Sequence, residues 1–126
     1  MKSYTDIEQS RKLAEILPLE SADYCWGIDN ETLHYNNSPY PCAWKDYTCK
    51  EYYIPCWSLA ALRNLLPSAI KSNKDSYLFE SHNTFDNSWV YRYYNEDDTS
   101  YLYCKNTNEV DACYDLIIKL YEKDLL

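Results

Sequence analysis

Apolar positions in this chain recur with two periods. From about residue 5 to about 17 they come every three or four. Ile7, Leu13, Ala14 and Leu17 fall within an arc of about 120°, with Glu8, Arg11, Lys12 and Glu15 mostly outside it. Thr5 and Glu8 have the spacing of a capping box and Pro18 stops the run, so a helix is predicted. A second helix is predicted over Trp57 to Leu66, entered through Pro55 and Cys56 and closed by Pro67. Its apolar residues Leu59, Ala61, Leu62, Leu65 and Leu66 span about 160°, which marks a largely buried rod. A third is predicted over about 109 to 123, with Thr107 or Asn108 as N-cap and Glu109 and Asp111 near the positive end of the dipole. Val110, Cys113, Tyr114, Leu116, Ile117, Ile118, Leu120 and Tyr121 form its stripe, and Asp115 and Lys119 are ordered for an i,i+4 pair.

Between the second and third helices the period drops to two. Tyr77–Phe79, Trp89–Tyr94 and Tyr101–Cys104 alternate as strands do, and Asn95–Ser100, with Glu96, Asp97 and Asp98, is short and polar enough for a hairpin connection. The stretch from about 19 to 55 follows neither period. Pro39, Pro41, Pro55, Asn36-Asn37 and Asp29-Asn30 break it into pieces, with extended segments predicted near 24–28, 32–35 and 50–54. It is rich in Tyr and Trp and poor in aliphatics, so it is expected to wrap a sheet or core rather than build one. The fold class is therefore α+β: three helices packed on one small antiparallel meander, as a single domain over 1–126.

Composition narrows the function classes. One Gly in 126 residues excludes glycine-rich phosphate loops. Twenty Asp and Glu against twelve Lys and Arg give −8, spread over both halves, a field that repels phosphate backbones, so direct nucleic-acid binding is not expected. No apolar run approaches the ~18 residues of a membrane span, and Met1-Lys2-Ser3-Tyr4-Thr5-Asp6 carries no apolar signal region. The expectation is a cytoplasmic protein with reduced thiols, without membrane or cofactor, whose oligomeric state the residues do not give.

Six cysteines invite two chemistries. Cys56, at the predicted entrance of the second helix, is the best-placed nucleophile, since the dipole would favour its thiolate; His34 or His82 would have to serve as base. Cys42, Cys49 and Cys56 recur every seven residues and His34 could be a fourth ligand. However, no close C-x₂₋₄-C pair exists, and Pro55 interrupts the segment. Buried small apolar side chains account better for these cysteines, and no metal is expected. Fifteen tyrosines and four tryptophans are the unusual quantity. Tyr35, Tyr40, Trp44, Tyr47, Tyr52 and Tyr53 are the candidate binding residues, because such rings give rigid contact area at low entropic cost.

Three segments carry a resemblance: 5–10 with 12–23, Pro55–Leu62, and Val110–Tyr114 with the terminal Leu125-Leu126. They resemble a family of short uncharacterised proteins of gut Bacteroides-type bacteria and their phages and mobile elements. The match covers the helices and leaves the Tyr-rich middle and the strands largely unmatched. It transfers no catalytic residue and implies an intracellular accessory protein. Two readings follow: a non-enzymatic interaction or regulatory module with a protein partner, or a thiol-dependent or metal-assisted enzyme using Cys56 with His34 or His82.

Overall fold

The structure, a computed structural model, describes residues 2–27, 37–42 and 53–126. Among the described residues there are three α-helices and two antiparallel sheets, and their contacts gather into two compact units, Lys2–Ala61 and Leu62–Leu126. The α+β class holds, but one small sheet does not suffice to describe it.

In the first unit, α1 (Ile7–Ile16) starts one residue later than predicted. Asp6 is the N-cap: its carboxylate accepts from Gln9 N at 2.8 Å, and the Gln9 side chain accepts from Asp6 N at 3.1 Å. The box is Asp6/Gln9, not Thr5/Glu8. Thr5 is fully buried and its hydroxyl is used elsewhere, accepting from Trp57 N at 3.1 Å and bonding Ser10 Oγ at 2.8 Å. Two residues with equal local capping ability are thus separated by tertiary demand.

A single 3₁₀ turn at Leu19–Ser21 leads into β1 (Tyr24–Gly27), which lies between β2 (Tyr40–Pro41) and β3 (Tyr53–Cys56). The Tyr-rich stretch therefore builds a sheet of its own, against the expectation that it only wraps one. Tyr24 is opposite Cys56 and Pro41, Cys25 opposite Pro55 and Tyr40, and Gly27 opposite Tyr53. Helix α1 packs on β3. The predicted extended segment at 32–35 lies outside the described residues.

The helix predicted from Trp57 is α2 (Leu59–Leu65). Its start is set by Ser58, whose Oγ accepts from Ala61 N at 3.2 Å and donates to the Asp23 carboxylate. Ala61 and Leu62 are buried, while Leu59, Leu65 and Leu66 are half-buried.

The second unit is a four-stranded antiparallel sheet in sequential order: β4 (Ala69–Ser72), β5 (Asp75–Asn83), β6 (Trp89–Tyr94) and β7 (Ser100–Asn106). Three strands were predicted; β4 is the addition. The Asn95–Thr99 connection is a turn as expected, closed by Asn95 N to Thr99 O at 3.1 Å and Asp98 N to Asn95 O at 3.0 Å. Helix α3 (Glu109–Glu122), capped by Asn108 through Asp111 N, lies on β6 and β7. Tyr91, Tyr93, Leu102 and Cys104 are buried with Val110, Cys113, Leu116, Ile117 and Leu120 of the helix. Among the described residues no helix is long and apolar enough to cross a membrane.

Candidate functional site

Of the sequence-predicted residues, Cys56, His82, Tyr40 and Tyr53 are described; His34, Tyr35, Trp44, Tyr47 and Tyr52 lie outside the described residues, as does Cys49. Cys56 ends β3, three residues before α2, so it does not hold the helix-entrance position assumed for it. Its thiol is fully buried, donates to Thr5 O at 3.4 Å and accepts from Thr5 Oγ1 at 3.6 Å. Burial pushes it up to about 11, against the lowering effect of the Thr5 and Ser10 hydroxyls. Cys42 goes further, to about 12, first through burial and then through its hydrogen bond with Cys25. Burial likewise raises Cys104 and Cys113. Among the described residues no two cysteines are joined in a disulfide. Among the described residues no group of three or more His, Cys, Asp or Glu is placed to hold a metal ion.

Tyr40 and Tyr53 do meet. Their ring centroids are 6.4 Å apart and nearly perpendicular, an edge-to-face arrangement. They stand on the two strands that flank β1, on the face that Gly27 shares. Gly27 has no positive φ, so what it supplies is room: a β-carbon there would stand between the strands bearing the rings.

In the second unit, His82 belongs to the sheet face opposite α3. Three cross-strand rows form this face: Leu78–Tyr94–Ser100, Glu80–Arg92–Tyr103 and His82–Val90–Lys105. Leu78, His82, Tyr103 and Lys105 are exposed, whereas Val90 is buried. Arg92 organises the face. Its Nε donates to Glu80 at 2.6 Å, its two Nη atoms to Ser100 at 3.1 Å and Asp98 at 2.7 Å, and its guanidinium lies 4.8 Å from the Tyr94 ring centroid. His82 Nδ1 meets the other Glu80 oxygen at 2.6 Å. Partial burial opposes ionisation of Glu80, but hydrogen bonds from Arg92 and His82 outweigh it and hold the carboxyl below its usual range. Glu80 therefore stays an anion that fixes both neighbours, which ties His82 into the ladder.

The face towards α3 carries a polar clamp that sequence reasoning missed. Arg63 Nη1 donates to Tyr91 Oη at 2.5 Å, Glu109 Oε2 at 3.1 Å and Ser81 Oγ at 3.3 Å, and Tyr91 donates to Glu109. Arg63 also lies over the Phe79 and Tyr91 rings. Burial and the Glu109 carboxylate raise the Tyr91 hydroxyl, so it remains a donor across the physiological range. These groups satisfy one another, which makes the clamp a structural element. The only local signal for it was Glu109 in the first turn of a helix.

No family model matches the chain, and no curated protein or solved structure matches it.

Proposed function

We propose that the protein is a non-enzymatic interaction module, an accessory protein of a phage or mobile element, whose partner is a protein with a basic surface. The carrying observation is the face built on Arg92. Exposed Leu78 and half-buried Tyr94 are set beside a ladder of charges whose geometry is fixed before any partner arrives, and such preorganisation favours recognition. The net charge of −8 suits a cationic partner. The tyrosines of the middle segment, Tyr40 and Tyr53 with Tyr35, Trp44, Tyr47 and Tyr52, are a second contact region in this reading. The buried, raised thiol of Cys56 gives little support to a thiol-dependent enzyme.

The test uses the full chain to capture proteins from a Bacteroides-type host, followed by binding of the identified, purified partner. A dissociation constant that rises with salt and increases about tenfold or more in Leu78→Asp with Tyr94→Ala is the expected outcome. Binding untouched by those substitutions and by Tyr40→Ala with Tyr53→Ala, or no retained protein, would discard the reading.

A further inference from the structure

Cys25 and Cys42 lie on one face of the three-stranded sheet. The register sets Cys25 opposite Tyr40, and Cys42 comes two residues after Tyr40, with its amide donating to Asp23 O at 3.1 Å. Alternate residues of a strand share a face, so the two cysteines form a diagonal pair across β1 and the end of β2. Their thiols are joined by a hydrogen bond. Cys25 is fully buried, whereas Cys42 is half-buried, so a small solute reaches the pair through Cys42. Cys56, on the neighbouring strand, is opposite Tyr24 and so belongs to the other face, where its thiol donates to Thr5 O at 3.4 Å.

Thiols are weak donors and weak acceptors, so the bond between them holds the strands together only slightly. What two adjacent sulfurs add over two small apolar side chains is the capacity to be oxidised. A diagonal pair stands at the wide end of what a disulfide spans: its α-carbons are about 7–8 Å apart in a regular ladder, and a bridge prefers about 5.5–6 Å. The backbone able to give way is that of β2, which has two residues, since β1 is held between two strands. Closing a bridge therefore draws β2 towards β1 and carries with it Tyr40, one side of the Tyr40–Tyr53 ring contact. In a reducing compartment such a pair serves as a sensor rather than a permanent staple.

We propose that Cys25 and Cys42 are a redox pair, which a low-molecular-weight disulfide such as oxidised glutathione converts into a disulfide that fastens β2 to β1. The Cys42 thiolate attacks one glutathione sulfur, and the expelled thiolate takes up a proton. Cys25 then gives up its own proton and attacks the Cys42 sulfur of the mixed disulfide, expelling the second glutathione. Two electrons and two protons leave the pair and end on two glutathione thiols. Because burial, with the Cys25 hydrogen bond, holds the Cys42 thiol up at about 12, little thiolate is present near neutral pH, and the pair responds to sustained oxidation rather than to brief excursions. The proposal draws on no partner and stands apart from the partner-binding reading above.

The full chain is incubated at about pH 8 with oxidised and reduced glutathione in ratios from about 1:100 to about 100:1, alkylated, digested without reduction and mapped by mass spectrometry. Two of the six thiols are expected to disappear, with one pair of peptides joined through Cys25 and Cys42, and dithiothreitol restores both. The rate rises roughly tenfold per pH unit between about pH 7 and 9, as the thiolate fraction does. A bridge that closes a loop of about 17 residues raises the ratio of folded to unfolded chain about a hundredfold, read as a higher urea midpoint, and near-ultraviolet dichroism changes as Tyr40 moves. Cys42→Ser keeps its remaining thiols under the same treatment; should it not fold, the map of the unaltered chain decides alone. Survival of all six thiols at the most oxidising ratio, glutathione left on Cys42 without a bridge, or a bridge from either residue to any other cysteine would overturn the proposal.

Discussion

Thr5 joins the start of α1 to the end of β3 with few atoms. Its amide donates to Trp57 O at 3.0 Å while its hydroxyl accepts from Trp57 N, and Trp26 Nε1 donates to its carbonyl at 3.1 Å. Thr5→Val keeps the shape and removes the acceptor, leaving a buried amide unsatisfied. A loss of about 1–3 kcal/mol in urea unfolding is expected. Ser10→Ala should cost less, about 0.5–1.5 kcal/mol, because Trp57 keeps its partner. The cysteines act through pH. Cys56 and Cys42 bind their protons more tightly in the fold, at about 11 and about 12, than at the ordinary 9.0. Their contribution is whole below pH 9 and declines as pH rises towards 11 and beyond, since the unfolded chain gives up protons first. At the other end Glu80 and Asp86 lie below their ordinary 4.5 and 3.8, so their contribution is present above those values and declines as pH falls through them. Urea midpoints measured from pH 3 to 11 should show a plateau between about pH 5 and 9 with a fall on both sides.

At the scale of elements, Gly27 lies opposite Tyr53 on the sheet face that also carries Tyr40. Gly27→Val inserts a branched side chain where the Tyr40 and Tyr53 rings meet, and a loss of about 1–3 kcal/mol is expected, with altered near-ultraviolet dichroism from the displaced rings. In the second unit β6 has a strand on each side and α3 against one face, so the amides of Tyr91 and Tyr93 should exchange most slowly there, those of β4 fastest. These elements differ in how clearly the sequence announces them. Helices α1 and α3 and strands β6 and β7 have periodic stretches whose patterns gave type and approximate bounds, whereas of the nine residues of β5 only Tyr77–Phe79 was predicted. Strand β4 has four residues and one buried side chain, Ile70, too short to show a period. Strand β2 has only two. The start of α2 falls at Ser58, whose hydroxyl caps Ala61 N, and the Asp23 carboxylate that holds Ser58 in place lies 35 residues away, where no local rule indicates it. The site was less accessible still. His82 gave no sign of sharing Glu80 with Arg92, which register alone creates.

For the whole molecule, charge governs solution behaviour. At −8 the chain repels itself, so a modest gain in stability is expected as salt rises from ~0.01 to ~0.15 M, where self-repulsion is screened. Solubility should pass through a minimum near pH 4.6, where net charge vanishes, and turbidity scans would show it. The near absence of glycine acts at this scale too. Among the described residues four backbone positions adopt left-handed geometry, and all are Asn or Asp: Asn73, Asn87, Asp98 and Asp124. Such residues tolerate that region less freely than glycine but wander less when the chain is denatured. Sharp bends are thereby obtained without the loosest monomer in the alphabet, and refolding sets out from a narrower population of disordered shapes.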